Sequence, residues 1–277
     1  MSSDSLSPAV SSHYTRGDLE QDILAGLRSA GHDVDHLRVD DLLLVDQFHT
    51  RGKQATLDLA ELAKIGPGQR ILDMGGGIGG SARLLSSEFA CRVRVLDLTE
   101  QYCRVGESLT RRTGLSDRVT FSHGSALDPP FDDASFDVVW TQHSTMNISD
   151  KQRLYEQIVR VLRPGGTLAM HEILAGPVQP IHFPVPWASH PQISHLVEPQ
   201  ALRPLLRSVG LREIAWNEET PRVREWLAER LSATSAPPPV GLHLILGPDA
   251  RRMFENVLRN VDEQRVVVVQ AVLQKPK

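Results

Sequence analysis

The stretch "ILDMGGGIGG", residues 71–80, decides how the rest of the chain is read. An apolar run of strand character enters a turn that holds five glycines and one isoleucine, and a helix begins around Ser81. A glycine costs roughly 1 kcal/mol relative to alanine inside regular structure, so five together need a physical reason. Strand, glycine turn, helix is the arrangement in which backbone comes close to a ligand, because a side chain on the turn would block the approach. The ligand then lies at the carboxyl ends of the strands, beside the start of the helix. A purely structural turn needs only one or two glycines.

Working outward, "RVRVLDL" from Arg92, "RVTFSHG" from Arg118, "FDVVWTQ" from Phe136, "GGTLAMHEI" from Gly165, "LREIAWN" from Leu211 and "RVVVVQAVLQK" from Arg265 read as strands. Between them "QYCRVGESLTRRTG", "KQRLYEQIVRVL", "PQALRPLLRSVG", "PRVREWLAERLSA" and "PDARRMFENVLRNV" read as helices. Upstream, "LEQDILAGLRSAG", "LRVDDLLLVDQF" and "KQATLDLAELA" are helical. Alternation of this kind implies a mostly parallel, doubly wound α/β sheet with helices on both faces. One stretch breaks the rhythm. "LAGPVQPIHFPVPWASHPQISHLV", residues 174–197, is rich in Pro and His and is expected to be a lid insertion. The Ser-rich residues 1–16 are expected to be a mobile arm. Residues 17–277 are read as a single domain, with 17–50 as helices capping the site.

Composition bounds the function. A net charge of −4 with both signs spread along the chain argues against nucleic-acid binding. No apolar run reaches membrane-spanning length, and the N-terminus lacks the apolar segment of a signal peptide. Cys91 and Cys103 make a poor disulfide framework, so a reducing, cytoplasmic setting is expected. The oligomeric state stays open, a homodimer included.

Glycine spacing alone leaves two ligands. Gly75, Gly77 and Gly80 satisfy G-x-G-x-x-G, the dinucleotide fingerprint, whereas Gly75, Gly77 and Gly79 satisfy the G-x-G-x-G of adenosyl-methionine sites. Asp97, at the end of the next strand, accepts from ribose hydroxyls in either case. Asp73 separates them, because a carboxylate before the glycines suits a ligand ammonium and repels a pyrophosphate. With "VRVLDLTE", "HGSALDPPF", "FDVVWTQHSTMNI" and "VLRPGGTLAMHE" in order, the segment from Arg70 to about Glu172 resembles a class I S-adenosyl-L-methionine-dependent methyltransferase of Rossmann-like fold. The segments "VDQFHTRGKQATLDLAELA" and "GPVQPIHFPVPWASHPQISHLV" extend the resemblance to the small-molecule group related to sarcosine and dimethylglycine N-methyltransferases.

The resemblance implies roles. Asp73, Gly75 and Gly77 would cradle the methionine part of the cofactor, Asp97 would take the ribose, and Leu98 would pack on the adenine. Ser125, Ala126 and Leu127 fall at the adenine contact, where many relatives carry an acid at the Ser125 position. Gln142 would face the methionine end. His49, Arg51 and Gly52 match a segment that closes over the cofactor, with Arg51 able to pair with its carboxylate. Methyl transfer is an in-line displacement that needs alignment and exclusion of water. A carbon or hydroxyl acceptor also needs a base, and the candidates are His143, His171 and Glu172, with Glu172 slightly ahead of its neighbour. His171 and Glu172 are adjacent on a strand, so only one of them is expected to reach the site. Where sarcosine-type relatives carry an acid and then apolar residues, this chain has "HSTMN", which weakens glycine-betaine chemistry. Phe183, Trp187 and Ile193 are expected to line an apolar substrate pocket. His182, His190 and His195 match no standard ligand spacing, and no metal is expected. The leading expectation is a methyltransferase for a small molecule of specialised metabolism, at carbon or oxygen with a base or at an amine. A non-catalytic adenosyl-methionine binder is the alternative from another class, and a nicotinamide-dependent oxidoreductase ranks below both.

Overall fold

A computed structural model describes residues 7–15, 17–232 and 238–277. Four helices, α1 (Ser7–Tyr14), α2 (Leu19–Ser29), α3 (Val39–Asp46) and α4 (Gly52–Leu62), precede β1 (Arg70–Met74). Alternation follows: α5 (Gly80–Phe89), β2 (Arg92–Asp97), α6 (Glu100–Arg112), β3 (Val119–His123), β4 (Phe136–Gln142), α7 (Lys151–Val161) and β5 (Leu162–Ala175). The chain continues through α8 (Pro199–Ser208), β6 (Arg212–Glu218), α9 (Thr220–Ser232), α10 (His243–Leu246), α11 (Ala250–Asp262) and β7 (Val266–Gln274).

The strands form one seven-stranded sheet in the order β3-β2-β1-β4-β5-β7-β6. β7 runs antiparallel to both β5 and β6, and the other pairings are parallel. Side chains of successive strand residues point to opposite faces. Leu72 and Val139 accordingly join α7 and α8 in one core cluster, while Ile71 and Val138 join α4 and α5 in another. Both faces of the sheet are therefore covered, as the strand–helix alternation predicts. The chain changes direction of winding at β1, which lies between β2 and β4. That is the switch point where ligands settle in open α/β sheets.

Two boundaries differ from the sequence expectations. Residues 7–14 of the expected arm form helix α1, and Tyr14 at its end hydrogen-bonds Asn147 Oδ1 at 2.8 Å. Residues 1–6 and 16 lie outside the described residues, as do 233–237 in the loop before α10. Leu174 and Ala175 belong to β5, so the insertion starts at Gly176. Its apolar side chains, Ile181, Val185 and Trp187, pack with Val223, Leu227 and Val257 from α9 and α11. Cys91 and Cys103 are free and buried. No helix among the described residues is long and apolar enough to cross a membrane.

Candidate active site

The glycine turn is shaped as much by protein neighbours as by a ligand. A Cβ on Gly75 would lie 2.4 Å from that of Ser144, and Ser144 Oγ donates to Met74 O at 2.8 Å. The loop after β4 is thereby seated on the loop after β1. A Cβ on Gly80 would lie 2.0 Å from the carbonyl of Asp46, so α3 packs directly on the start of α5. Asp46 also takes the fully buried Arg83 guanidinium at 3.0 Å. At Gly77 the nearest atom is a Tyr102 ring carbon at 3.8 Å, and that residue opens onto a cavity.

Two cavities share the glycine turn. The larger, about 950 Å³, is walled by Gly75, Gly77, Asp97, Leu98, Ser125, Ala126 and Leu127, with Tyr14 and Tyr102 across from them. Asp97 Oδ2 accepts from Gly77 N and Oδ1 from Thr99 N, each at 2.8 Å. A carboxylate offers about four lone-pair positions, so capacity remains for a pair of hydroxyls. Ser125 Oγ accepts from Leu127 N at 3.1 Å, which commits it to the loop's own backbone while leaving its proton available. The second cavity, about 480 Å³, is walled by Asp73, Gly75, Gly76, Gly77, Ser81 and Gln142. Asp73 Oδ2 is buried there without a hydrogen-bond partner among the described residues. Burial first, and the charge of Asp97 second, push its carboxyl up to about 7. An orphaned buried carboxylate oxygen beside an open glycine cradle fits the ammonium of an adenosyl-methionine ligand, and the ribose-ready Asp97 with apolar Leu98, Ala126 and Leu127 fits its adenosine.

A third, apolar cavity of about 420 Å³ adjoins these two. Phe48 and His143 border all three cavities. His143 follows β4 in a left-handed conformation, φ 51°, with its backbone N–H on His171 O at 2.8 Å. Such a backbone costs of order 1–3 kcal/mol for a non-glycine residue, and here it turns the imidazole toward the junction. The rings of His143 and His171 are 4.6 Å apart, with His49 at 6.3 and 6.0 Å from them.

A hydrogen-bond chain orients this cluster. The Trp140 indole N–H can only donate, and it donates to Gln142 Oε1 at 3.0 Å. Gln142 Nε2 therefore donates to His171 Nδ1 at 3.4 Å, which leaves the hydrogen of His171 on Nε2, 3.5 Å from Thr50 Oγ1. Thr50 Oγ1 also lies 3.3 Å from His143 Nε2. The Nδ1 of His143 has no partner among the described residues. Burial holds the three imidazoles neutral, with His143 and His171 well below the ordinary value and His49 down to about 3.

Not every expected residue reaches the site. Glu172 is fully buried on the opposite side of β5 from His171 and lines none of the three cavities. Its Oε2 accepts from Thr145 N at 3.3 Å, and burial raises its carboxyl to about 7. It supports the loop that carries His143; His171, also fully buried, lines none of the three cavities either. Arg51 lines none of the three cavities: its guanidinium is held by Asp58 at 2.6 Å and Glu219 at 2.7 Å. Trp187 walls the apolar cavity, but Phe183 and Ile193 pack into the core beneath it. His182 pairs with Glu263 at 2.8 Å, His195 donates its backbone N–H to Met146 O, and His190 is exposed. No group of three potential metal ligands is assembled among the described residues. Sequence reasoning missed Tyr14, Phe48, Thr50, Met146 and Phe254. The only signal for Tyr14 was an aromatic residue inside a polar, Ser-rich segment.

A doubly wound sheet whose glycine turn adjoins the buried carboxylates Asp73 and Asp97, beside a separate apolar cavity, places the protein in the Rossmann-like α/β class. Residues 72–170 match the family described as "Methyltransferase domain". It is 31% identical over 173 residues to a glycine/sarcosine/dimethylglycine N-methyltransferase of Actinopolyspora halophila, covering 62% of this chain and 31% of that one. It is 30% identical over 157 residues to a sarcosine/dimethylglycine N-methyltransferase of Halorhodospira halochloris, covering 57% and 56%. The match thus spans less than two thirds of either relative. In fold it resembles a geranyl diphosphate C-methyltransferase from Streptomyces coelicolor A3(2), with a TM-score of 0.67 and 18% identity, covering 99% of this chain and 97% of the other.

Proposed function

We propose that the protein methylates an oxygen or an acidic carbon of a small molecule of specialised metabolism, with His143 as the base. The observation that carries this reading is the position of His143, bordering both cofactor-type cavities and the apolar one, with a ring nitrogen free. Bound S-adenosyl-L-methionine supplies a methyl group on a positively charged sulfur. The residues around it bind and orient. Asp73 takes the ammonium end, Asp97 the ribose, and Leu98 with Leu127 the adenine. Phe48, Tyr14 and the insertion that carries Trp187 exclude water, which raises the worth of every charge interaction inside. His143 Nδ1 would take the proton from an acceptor hydroxyl or acidic C–H, freeing the electron pair that receives the methyl group, while the pair of the broken carbon–sulfur bond stays on sulfur. Burial keeps His143 in the unprotonated form that this step needs, and the proton is lost to solvent when product leaves.

An amine acceptor is the second reading, favoured by the likeness to the two N-methyltransferases. A neutral amine needs little base help, so His143→Ala separates the two. Labelled methyl transfer from S-adenosyl-L-methionine to a panel of phenols, β-dicarbonyls and amines is the measurement. With a hydroxyl or carbon acceptor, His143→Ala should lower turnover by about 10²–10⁴ with S-adenosylhomocysteine affinity little changed. A variant within about threefold of wild type would remove the base.

A further inference from the structure

The apolar cavity beside His143 has walls that carry no formal charge. We propose that it takes an uncharged, largely apolar, ring-bearing acceptor that presents one hydroxyl to His143, and not an amino acid or a diphosphate. The inference rests on the methyl-transfer reading for its chemistry, and on the cavity alone for its ligand class.

Three observations carry it. Phe48, Trp187, Phe254, Met146 and Ile173 supply the walls, and no Asp, Glu, Lys or Arg borders the space. Aromatic faces of this kind stack on flat rings. The cations nearby are already satisfied. Arg51, whose charge is felt at His171, is gripped between Asp58 and Glu219 at 2.6 and 2.7 Å. Lys151 Nζ donates to the carbonyls of Thr145 and Ile148 at 2.7 and 2.6 Å. The imidazoles of His49 and His143 are uncharged through burial. A carboxylate, ammonium or diphosphate entering here would lose its water and meet no opposite charge from the protein, and burying an unpaired charge is strongly unfavourable. Of the polar residues present, Tyr14, His49 and His143 also border the cofactor-type cavities, and Thr50 Oγ1 lies 3.3 Å from His143 Nε2. A ligand with one polar end and an apolar body therefore has a single orientation, hydroxyl toward His143.

The test is binding, read by calorimetry with and without saturating S-adenosylhomocysteine. The probes are 1-naphthol, sarcosine, dimethylglycine and geranyl diphosphate. 1-Naphthol should bind at least about tenfold more tightly than the other three. Met146→Trp, which fills the cavity, should weaken 1-naphthol by about tenfold or more and leave S-adenosylhomocysteine affinity within about twofold. The wild-type rank order decides the matter even if that variant folds poorly. Sarcosine, dimethylglycine or the diphosphate binding as tightly as 1-naphthol, or no binding of 1-naphthol, would overturn the proposal. If S-adenosylhomocysteine fails to bind while 1-naphthol binds, the methyl-transfer reading falls and the ligand class stands.

Discussion

The carboxyl of Asp73 titrates near neutrality because burial and the neighbouring charge of Asp97 raise it to about 7. Pairing with a ligand ammonium favours the ionised form, so binding must release a proton below that value. S-adenosylhomocysteine affinity should therefore rise about tenfold per pH unit between pH 5 and 7 and level off above. Calorimetry across that range checks it, and a flat profile would remove Asp73 from the ammonium site. Glu172 is raised to about 7 as well, by burial, but without a ligand to pair with. Its folded-state value lies above its unfolded one, so the stability it contributes is fully present below about pH 4.5 and is lost as pH rises through about 7. Glu172→Gln should keep the bond from Thr145 N, flatten the fall in melting temperature between pH 5 and 8, and leave turnover within about threefold. A loss of 10² or more in that variant would restore Glu172 as the base. Alternation along β5 was legible in the sequence; which of the two faces opened onto a cavity was not, because that depends on where the Thr145–Asn147 turn packs.

At the scale of elements, Asn147 joins three separate parts of the chain. Its Nδ2 donates to Trp187 O and Ile193 O, both at 2.7 Å, and its Oδ1 accepts from Tyr14. Asn147→Ala would leave two half-buried carbonyls of the insertion unpaired, at about 1–3 kcal/mol. Hydrogen exchange in α1 and in residues 176–197 should quicken in this variant while the sheet stays protected; unchanged exchange in both would contradict the clasp. Gly80→Ala is expected to cost about 1–3 kcal/mol or more, because the added carbon meets the Asp46 carbonyl at 2.0 Å. Denaturant midpoints measure it, and a neutral result would mean that α3 does not press on α5 as described. The strands and long helices were legible because hydrophobic period and turn residues are local signals. The helix in the Ser-rich N-terminal segment was not, since Tyr14 is fixed by Asn147, 133 residues away.

Across the whole molecule, the cofactor half is contiguous in sequence and the acceptor half is not. Asp73, Gly77 and Asp97 fall within 25 residues (73–97) at the carboxyl ends of β1 and β2, so their gathering at one edge of the sheet could be read before the fold was known. The apolar cavity draws Tyr14, Phe48, Met146, Trp187, Leu242 and Phe254 from distant segments, each of which alone reads as ordinary core. Arg51 shows the reverse case, a residue that fits a motif and is claimed by Asp58 and Glu219 once the chain folds. The central claim is that the glycine turn with Asp73 and Asp97 holds S-adenosyl-L-methionine. Titration calorimetry of the whole chain with S-adenosylhomocysteine and, separately, with NAD tests it most directly, with Asp97→Ala as the control. One equivalent of S-adenosylhomocysteine should bind, Asp97→Ala should weaken it by about 1–3 kcal/mol, and NAD should give no heat of binding. Binding of NAD in its place, or no binding of S-adenosylhomocysteine to the wild type, would contradict the account.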